Sequence, residues 1–142
     1  NIHPATDNVK LTVGFRDGGT DYDAVKTTTA FYAYHKEDDS GTGLDYSTAY
    51  DLAQSTSFQN IAFELGNDND QCCSGTMHLF NPSSTTFVKH FILNFQNIRY
   101  DNMSENDYVA GYCNTTTAID GVQFKMSSGN IDSGVIKLYG IS

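Results

Sequence analysis

The chain has 142 residues, with 17 acidic against 8 basic side chains and a formal net charge of −9. That length suits a single domain, because a core of this size buries roughly 68–70% of the surface that the unfolded chain exposes. The charge argues against nucleic acid, whose phosphates need clustered Lys and Arg, and no run nears the roughly 18 apolar residues of a membrane span, so membrane insertion is not expected. The start at Asn1-Ile2-His3-Pro4, without a basic region or an initiator Met, suits a processed product or the ordered part of a longer chain.

Nine Tyr, nine Phe and no Trp, with many Thr and Val and only two Pro, make a strand-favouring composition. Leu11, Val13 and Phe15 alternate with Thr12 and Gly14, a first strand that ends at the turn Asp17-Gly18-Gly19-Thr20. Thr27 to Lys36 mixes β-branched and aromatic residues and reads as a strand, and Glu37 to Gly43 is a polar loop with no core-forming side chain. From Leu44 to Ser57 neither a period of 2 nor a long stripe of period 3.6 holds, which predicts a short helix or an ordered loop. Ile61, Phe63 and Leu65 alternate again until Gly66-Asn67-Asp68-Asn69-Asp70 stops them.

Beyond Cys72-Cys73 a strand through Met77 and Leu79 leads into Asn81-Pro82-Ser83-Ser84, where proline presets φ for a turn. The second arm of this hairpin, Thr86 to Asn97, has Phe87, Phe91, Leu93 and Phe95 on one side and Val88 and Ile92, beside His90 and Asn94, on the other. A strand apolar on both sides is either central in the core, roofed by this chain's own Leu44 to Ser57 segment, or covered by a partner. Val88, His90 and Ile92 are therefore the candidate interface residues. Strands over Tyr108 to Cys113, Ala118 to Met126 and Val135 to Ile141 complete the pattern. About eight short strands predict an all-β fold, an antiparallel two-sheet β-sandwich with jelly-roll or another Greek-key winding, in one domain over residues 1–142. No βαβ alternation, internal repeat or low-complexity linker is present.

The motifs that carry catalysis are missing: there is no G-x-S-x-G, no H-E-x-x-H, no C-x-x-C and no glycine-rich phosphate loop. His78 and His90 lie on the two hairpin arms and can approach each other, but a pair still lacks a third ligand for a transition metal. Acidic groups at Asp17-Asp21-Asp23, Asp38-Asp39, Asp68-Asp70 and Asp101-Glu105-Asp107 fall in predicted loops. Solvated turns are the plain expectation for them. If one binds calcium, a hard cation that takes loop oxygens, Asp68 and Asp70 are the candidate ligands; no other cofactor is expected. Three cysteines, two of them adjacent, do not make a disulfide framework, and three reduced thiols are expected. Asn102-Met103-Ser104 and Asn114-Thr115-Thr116 match the short glycosylation sequon.

The segment from His78 to Phe91 (HLFNPSSTTFVKHF), and the ending from Ala118 through Gln123 to Asn130 (QFKMSSGN) and Ile136 to Ile141 (IKLYGI), resemble modules of virion structural and tail-fibre-like proteins of marine bacteriophages. The likeness covers about the last 65 residues. It implies a β-sandwich on a virion exterior, as a capsid decoration protein or as a tail-fibre or receptor-binding module, but no functional residue follows from it. Such proteins are commonly trimers, so the resemblance implies a homo-oligomer among other virion proteins, with a host-surface glycan as a further partner. An enzyme is not expected. The competing expectation is a carbohydrate-binding module, calcium-dependent or not, for which the tyrosines would stand in for the missing tryptophan platform.

Overall fold

The structure, a computed structural model, describes residues 1–141. These form ten strands: β1 (Ile2–Pro4), β2 (Val9–Arg16), β3 (Lys26–Lys36), β4 (Thr42–Tyr46), β5 (Gln59–Leu65), β6 (Cys73–Leu79), β7 (Lys89–Ile98), β8 (Met103–Cys113), β9 (Gly121–Met126) and β10 (Ile131–Gly134). There is no helix among the described residues, and so none long and apolar enough to cross a membrane. All pairings are antiparallel. Seven strands form one sheet in the order β10-β1-β6-β7-β8-β3-β4, and three form another, β5-β2-β9.

The two sheets enclose the core in a β-sandwich-like arrangement. Leu11, Val13 and Phe15 of β2 and Ile61, Phe63 and Leu65 of β5 meet Phe91 and Leu93 of β7 and Val109 of β8, all buried. Phe15 and Phe91 touch across the layers with ring centroids 4.9 Å apart, and Phe63 lies 4.3 Å from Tyr50 and edge-on to Tyr32 at 6.3 Å. β2 is buried on its second side as well, because Phe58 covers Gly14 so closely that a Cβ at that position would fall within 2.6 Å of its ring.

Several expectations change. Ten strands replace about eight, since the short β1, β4 and β10 give weak periodic signals. The Leu44 to Ser57 stretch is no helix: Leu44 and Tyr46 end β4, and the following loop runs along β3, with Lys26 N–H donating to Ser55 O at 2.8 Å and Thr28 N–H to Leu52 O at 2.8 Å. That route leaves β7 without a roof. The loop after β6 is wider than a tight turn, running through residues 80–88 with Pro82 inside it. Ser84 Oγ accepts from the N–H groups of Thr86 and Phe87 and so holds them out of the ladder. β7 accordingly starts at Lys89, and Phe87 is 69% exposed instead of joining the core stripe. Near the end of the described residues the strand lies at Ile131–Gly134, and the expected Val135 to Ile141 strand joins no ladder among them.

Candidate functional site

A strand buried on one side places its even and odd residues on opposite faces. In β7 Phe91, Leu93 and Phe95 point inward, and His90, Ile92, Asn94 and Gln96 point away from the core. The register continues that outer face across the sheet. One row crosses His78, Ile92, Ala110 and Thr29; the next crosses Thr76, Asn94, Tyr108, Phe31 and Tyr46; a third crosses Ser74, Gln96, Asn106, Ala33 and Leu44. Rows at the two ends add His90, Tyr112 and Thr27, and Ile98, Ser104, His35 and Thr42. None of these is Lys, Arg, Asp or Glu, in a chain with a net charge of −9.

The apolar groups on this face are in water. Ile92 is 53% exposed, and Phe31, Leu44 and Tyr46 are exposed farther along the same face, on β3 and β4. Small Ala110 floors a shallow depression walled by His90, Ile92 and Tyr112. Phe31 and Tyr108 stack on each other with centroids 4.9 Å apart and planes 7° from parallel, so each ring has one face occupied. The amides are bonded sideways: Asn94 Nδ2 donates to Asn106 Oδ1 at 2.6 Å and Asn106 Nδ2 to Tyr108 Oη at 2.8 Å. A face whose polar groups already satisfy one another loses little hydrogen bonding when a partner covers it.

Two carboxylates of β8 lie on the opposite, inward side of the same sheet. Glu105 and Asp107, expected in a solvated loop, lie on the inward side of β8, because the alternation that buries Met103 and Val109 buries them too. Arg99, just past β7, reaches Glu105, with Nη1 3.3 Å from Glu105 Oε2 and Nε 3.1 Å from Asp101 Oδ1, and it pairs also with Glu64. Tyr50 Oη donates to Glu64 Oε1 at 2.6 Å. Burial opposes the Arg99 charge, yet Glu105, Glu64 and Asp101 outweigh it and hold the guanidinium above its usual value.

Of the interface candidates, His90 and Ile92 sit together on the outer face, and Val88 lies half-buried just before β7. His78 is diagonal to His90 across β6 and β7, each imidazole beside an aromatic ring, Phe80 and Tyr112 respectively. Asp68 and Asp70 are exposed in the loop between β5 and β6, where Asp68 gives its backbone oxygen to His3 Nε2 at 3.2 Å and to Gln71 N–H at 2.9 Å. No group of three or more His, Cys, Asp or Glu side chains is gathered as a metal site among the described residues. All three cysteines are free thiols. Sequence reasoning missed Phe31, Leu44, Tyr46, Tyr108 and Tyr112 as parts of one surface. For Phe31, Tyr108 and Tyr112 the signal was there in principle, since each sits next to a buried residue of its own strand, but register between strands distant in sequence is needed to read it, and β4 has no buried residue to mark Leu44 and Tyr46.

Compared with protein-family models, curated proteins and solved structures, the chain matches none.

Proposed function

We propose that this chain is a structural module of a bacteriophage virion exterior, a capsid decoration protein or part of a tail fibre, that works by association through the outer face of its seven-stranded sheet. The observation that carries this reading is the absence of charge from that face. An acidic chain repels its own copies and other acidic surfaces, so association is cheapest where Ile92, Ala110, Tyr108 and Phe31 meet a partner with no carboxylate between them. The sequence resemblance of residues 78–91 and of the C-terminal third points the same way. A jelly-roll-like winding, common in capsid surface domains, belongs to this reading.

A carbohydrate-binding role competes with it and has less support. Sugar rings pack on open aromatic faces, whereas Phe31 and Tyr108 cover one another and the neighbouring amides are bonded among themselves. The test is mass in solution by light scattering. Wild-type protein is expected to be an oligomer and Ile92→Asp a folded, smaller species. A mass that Ile92→Asp leaves unchanged, or retention of the wild-type protein on a glycan array through this face, overturns the reading.

A further inference from the structure

The outer side of the three-stranded sheet is shaped by two glycines. In β2 Thr12, Gly14 and Arg16 alternate with the inward Leu11, Val13 and Phe15, and they lie opposite Lys125, Gln123 and Gly121 of β9. Without a side chain at Gly14 two segments fold down onto the sheet. Tyr22 O lies 2.9 Å from where a Cβ of Gly14 would stand, and the ring of Phe58, just before β5, lies 2.6 Å from the same point. At Gly121 a Cβ would fall 3.2 Å from Tyr22 Cε1, so that ring also rests where only a glycine leaves room. The segment carrying Tyr22 is tied back to β2 by Ala24 N–H, which donates to Phe15 O at 3.0 Å.

Between these segments is a cavity of about 490 Å³, walled by Tyr22 and Phe58. That size lies within the roughly 300–1,000 Å³ of small-molecule sites. A cation holds each ring in place: the Arg16 guanidinium, bonded to Asp120 at 2.8 Å, is 5.5 Å from the centre of Tyr22, and Lys125 Nζ is 4.0 Å from the centre of Phe58. Unlike Phe31 and Tyr108, neither ring stacks on another aromatic ring among the described residues. Gln123 lines the cavity from the sheet, and Thr20, Asp21, Asp23 and Thr56 line it from the loops. Two of these groups only accept hydrogen bonds, and the amide and the hydroxyls both donate and accept. Among the described residues neither Asp21 nor Asp23 is in an ion pair, and no Lys or Arg lines the cavity.

We propose that this cavity binds a neutral glycan, with one sugar ring seated between Tyr22 and Phe58 and its hydroxyls bonded to Asp21, Asp23 and Gln123. A pyranose has the two kinds of surface the cavity has: C–H faces that pack on aromatic rings, and hydroxyls that each donate and accept. A carboxylated, sulfated or phosphorylated ligand would meet two carboxylates with no cation beside them. An organic cation would take the carboxylates and leave the Gln123 N–H groups with nothing to bond. The site lies on the layer opposite the uncharged face of the seven-stranded sheet, so a sugar and an associated subunit do not compete for one surface. It adds a ligand to the assembly reading and does not depend on it.

The test begins with an array of neutral hexose and N-acetylhexosamine oligosaccharides beside sialylated and sulfated ones, in buffer with a chelator. Wild-type protein is expected to be retained on neutral glycans. The oligosaccharide retained best is then titrated in solution by calorimetry, where the affinity per site does not depend on how many subunits are joined. Asp21→Ala and Gln123→Ala are each expected to weaken it at least about tenfold, and Asp21→Asn, which keeps one acceptor oxygen, to lose less. Both side chains are exposed, so the urea midpoints of these variants should match that of the wild type. Ile92→Asp, on the other layer, should leave the affinity as it is. No retention, retention confined to sialylated or sulfated glycans, or an affinity indifferent to Asp21→Ala and Gln123→Ala overturns the site, and the light-scattering test of the association face is untouched by any of these. An affinity lost in Ile92→Asp and kept in both cavity variants puts the sugar on the other layer and overturns both readings.

Discussion

Asn97 Nδ2 donates to Asp107 Oδ2 at 2.8 Å between the neighbouring strands β7 and β8, with both residues fully buried. The same carboxylate oxygen accepts Phe63 N–H at 2.9 Å, and Asn97 Nδ2 also donates to Phe63 O at 3.1 Å. Phe63 falls in the irregular part of the β2–β5 ladder, where Leu11 faces Ala62 and no partner in β2 faces Phe63. Its backbone groups would be orphaned in the core, and two side chains of the opposite sheet satisfy them. This polar clasp fixes how the sheets sit on one another, which hydrophobic contact alone leaves free to slide.

The clasp has a pH dependence. Burial first, and then the adjacent Glu105 carboxylate, push the Asp107 pKa well above its usual value. Asp107 Oδ1 and Glu105 Oε1 are buried with no other partner, and one proton shared between the two carboxyls satisfies both. In the unfolded chain Asp107 loses its proton near pH 4, while the folded chain keeps it, so the contribution to stability is complete below about pH 4 and declines as pH rises through the elevated folded value. Asp107→Asn carries its own amide hydrogens and does not titrate. Urea midpoints of variant and wild type are expected to be closest near pH 4 and to separate in favour of the variant toward pH 8; a constant difference would refute the shared proton.

Arg99 is the cation that meets Glu64 and Glu105, and its removal strands both. Replacing one partner of a buried ion pair costs about 3–5 kcal/mol, because the remaining charge keeps its desolvation penalty. Arg99→Met is expected to lose about that much in urea unfolding, and Arg99→Lys to recover only part, since a single ammonium does not reproduce three separate carboxylate contacts.

What the sequence reveals follows from how local each signal is. β2 and β5 were legible from the alternation of their large apolar residues, Leu11-Val13-Phe15 and Ile61-Phe63-Leu65, and β3 from its β-branched and aromatic composition. Glu105 and Asp107 were not, since their polarity reads as a loop until Arg99 and Asn97, on another strand, are known to meet them. The outer face was half legible: Ile92 and His90 marked it, but Tyr108 and Phe31 join it only through pairings of β8 with β7 and β3. The tail reads as a strand on its own composition, yet among the described residues it joins no ladder.

The thiols separate by environment. Burial raises the Cys73 pKa to about 12 and that of Cys113 to about 11, so neither forms appreciable thiolate at pH 8. Cys72 is half-buried. Alkylation by iodoacetamide in native buffer is expected to label Cys72 first, with Cys73 and Cys113 labelled at the rate of unfolding. Fast labelling of all three, read by peptide mass, would contradict the burial of the latter two.

Phe87 and Phe91 share a side of the same sequence pattern, and the structure gives them opposite roles. Phe91 is fully buried against Phe15, at the centre of the contact between the two sheets. Phe87 precedes the first ladder residue and stands largely in water, held there by the Ser84 hydroxyl that accepts its N–H at 3.0 Å. Truncating a buried phenylalanine removes its transfer free energy and leaves a cavity, about 3–5 kcal/mol, whereas an exposed one away from a cap or core changes stability by about 0.5 kcal/mol or less. Phe91→Ala is therefore expected to lower the urea midpoint severely, and Phe87→Ala to leave it almost unchanged. Equal losses would mean that β7 begins two residues earlier and that Phe87 belongs to the core. Ser84→Ala separates these cases further: with its two N–H acceptor gone, the loop is expected to loosen and the amides of Thr86 and Phe87 to exchange faster, while the amide of Phe91 keeps its protection.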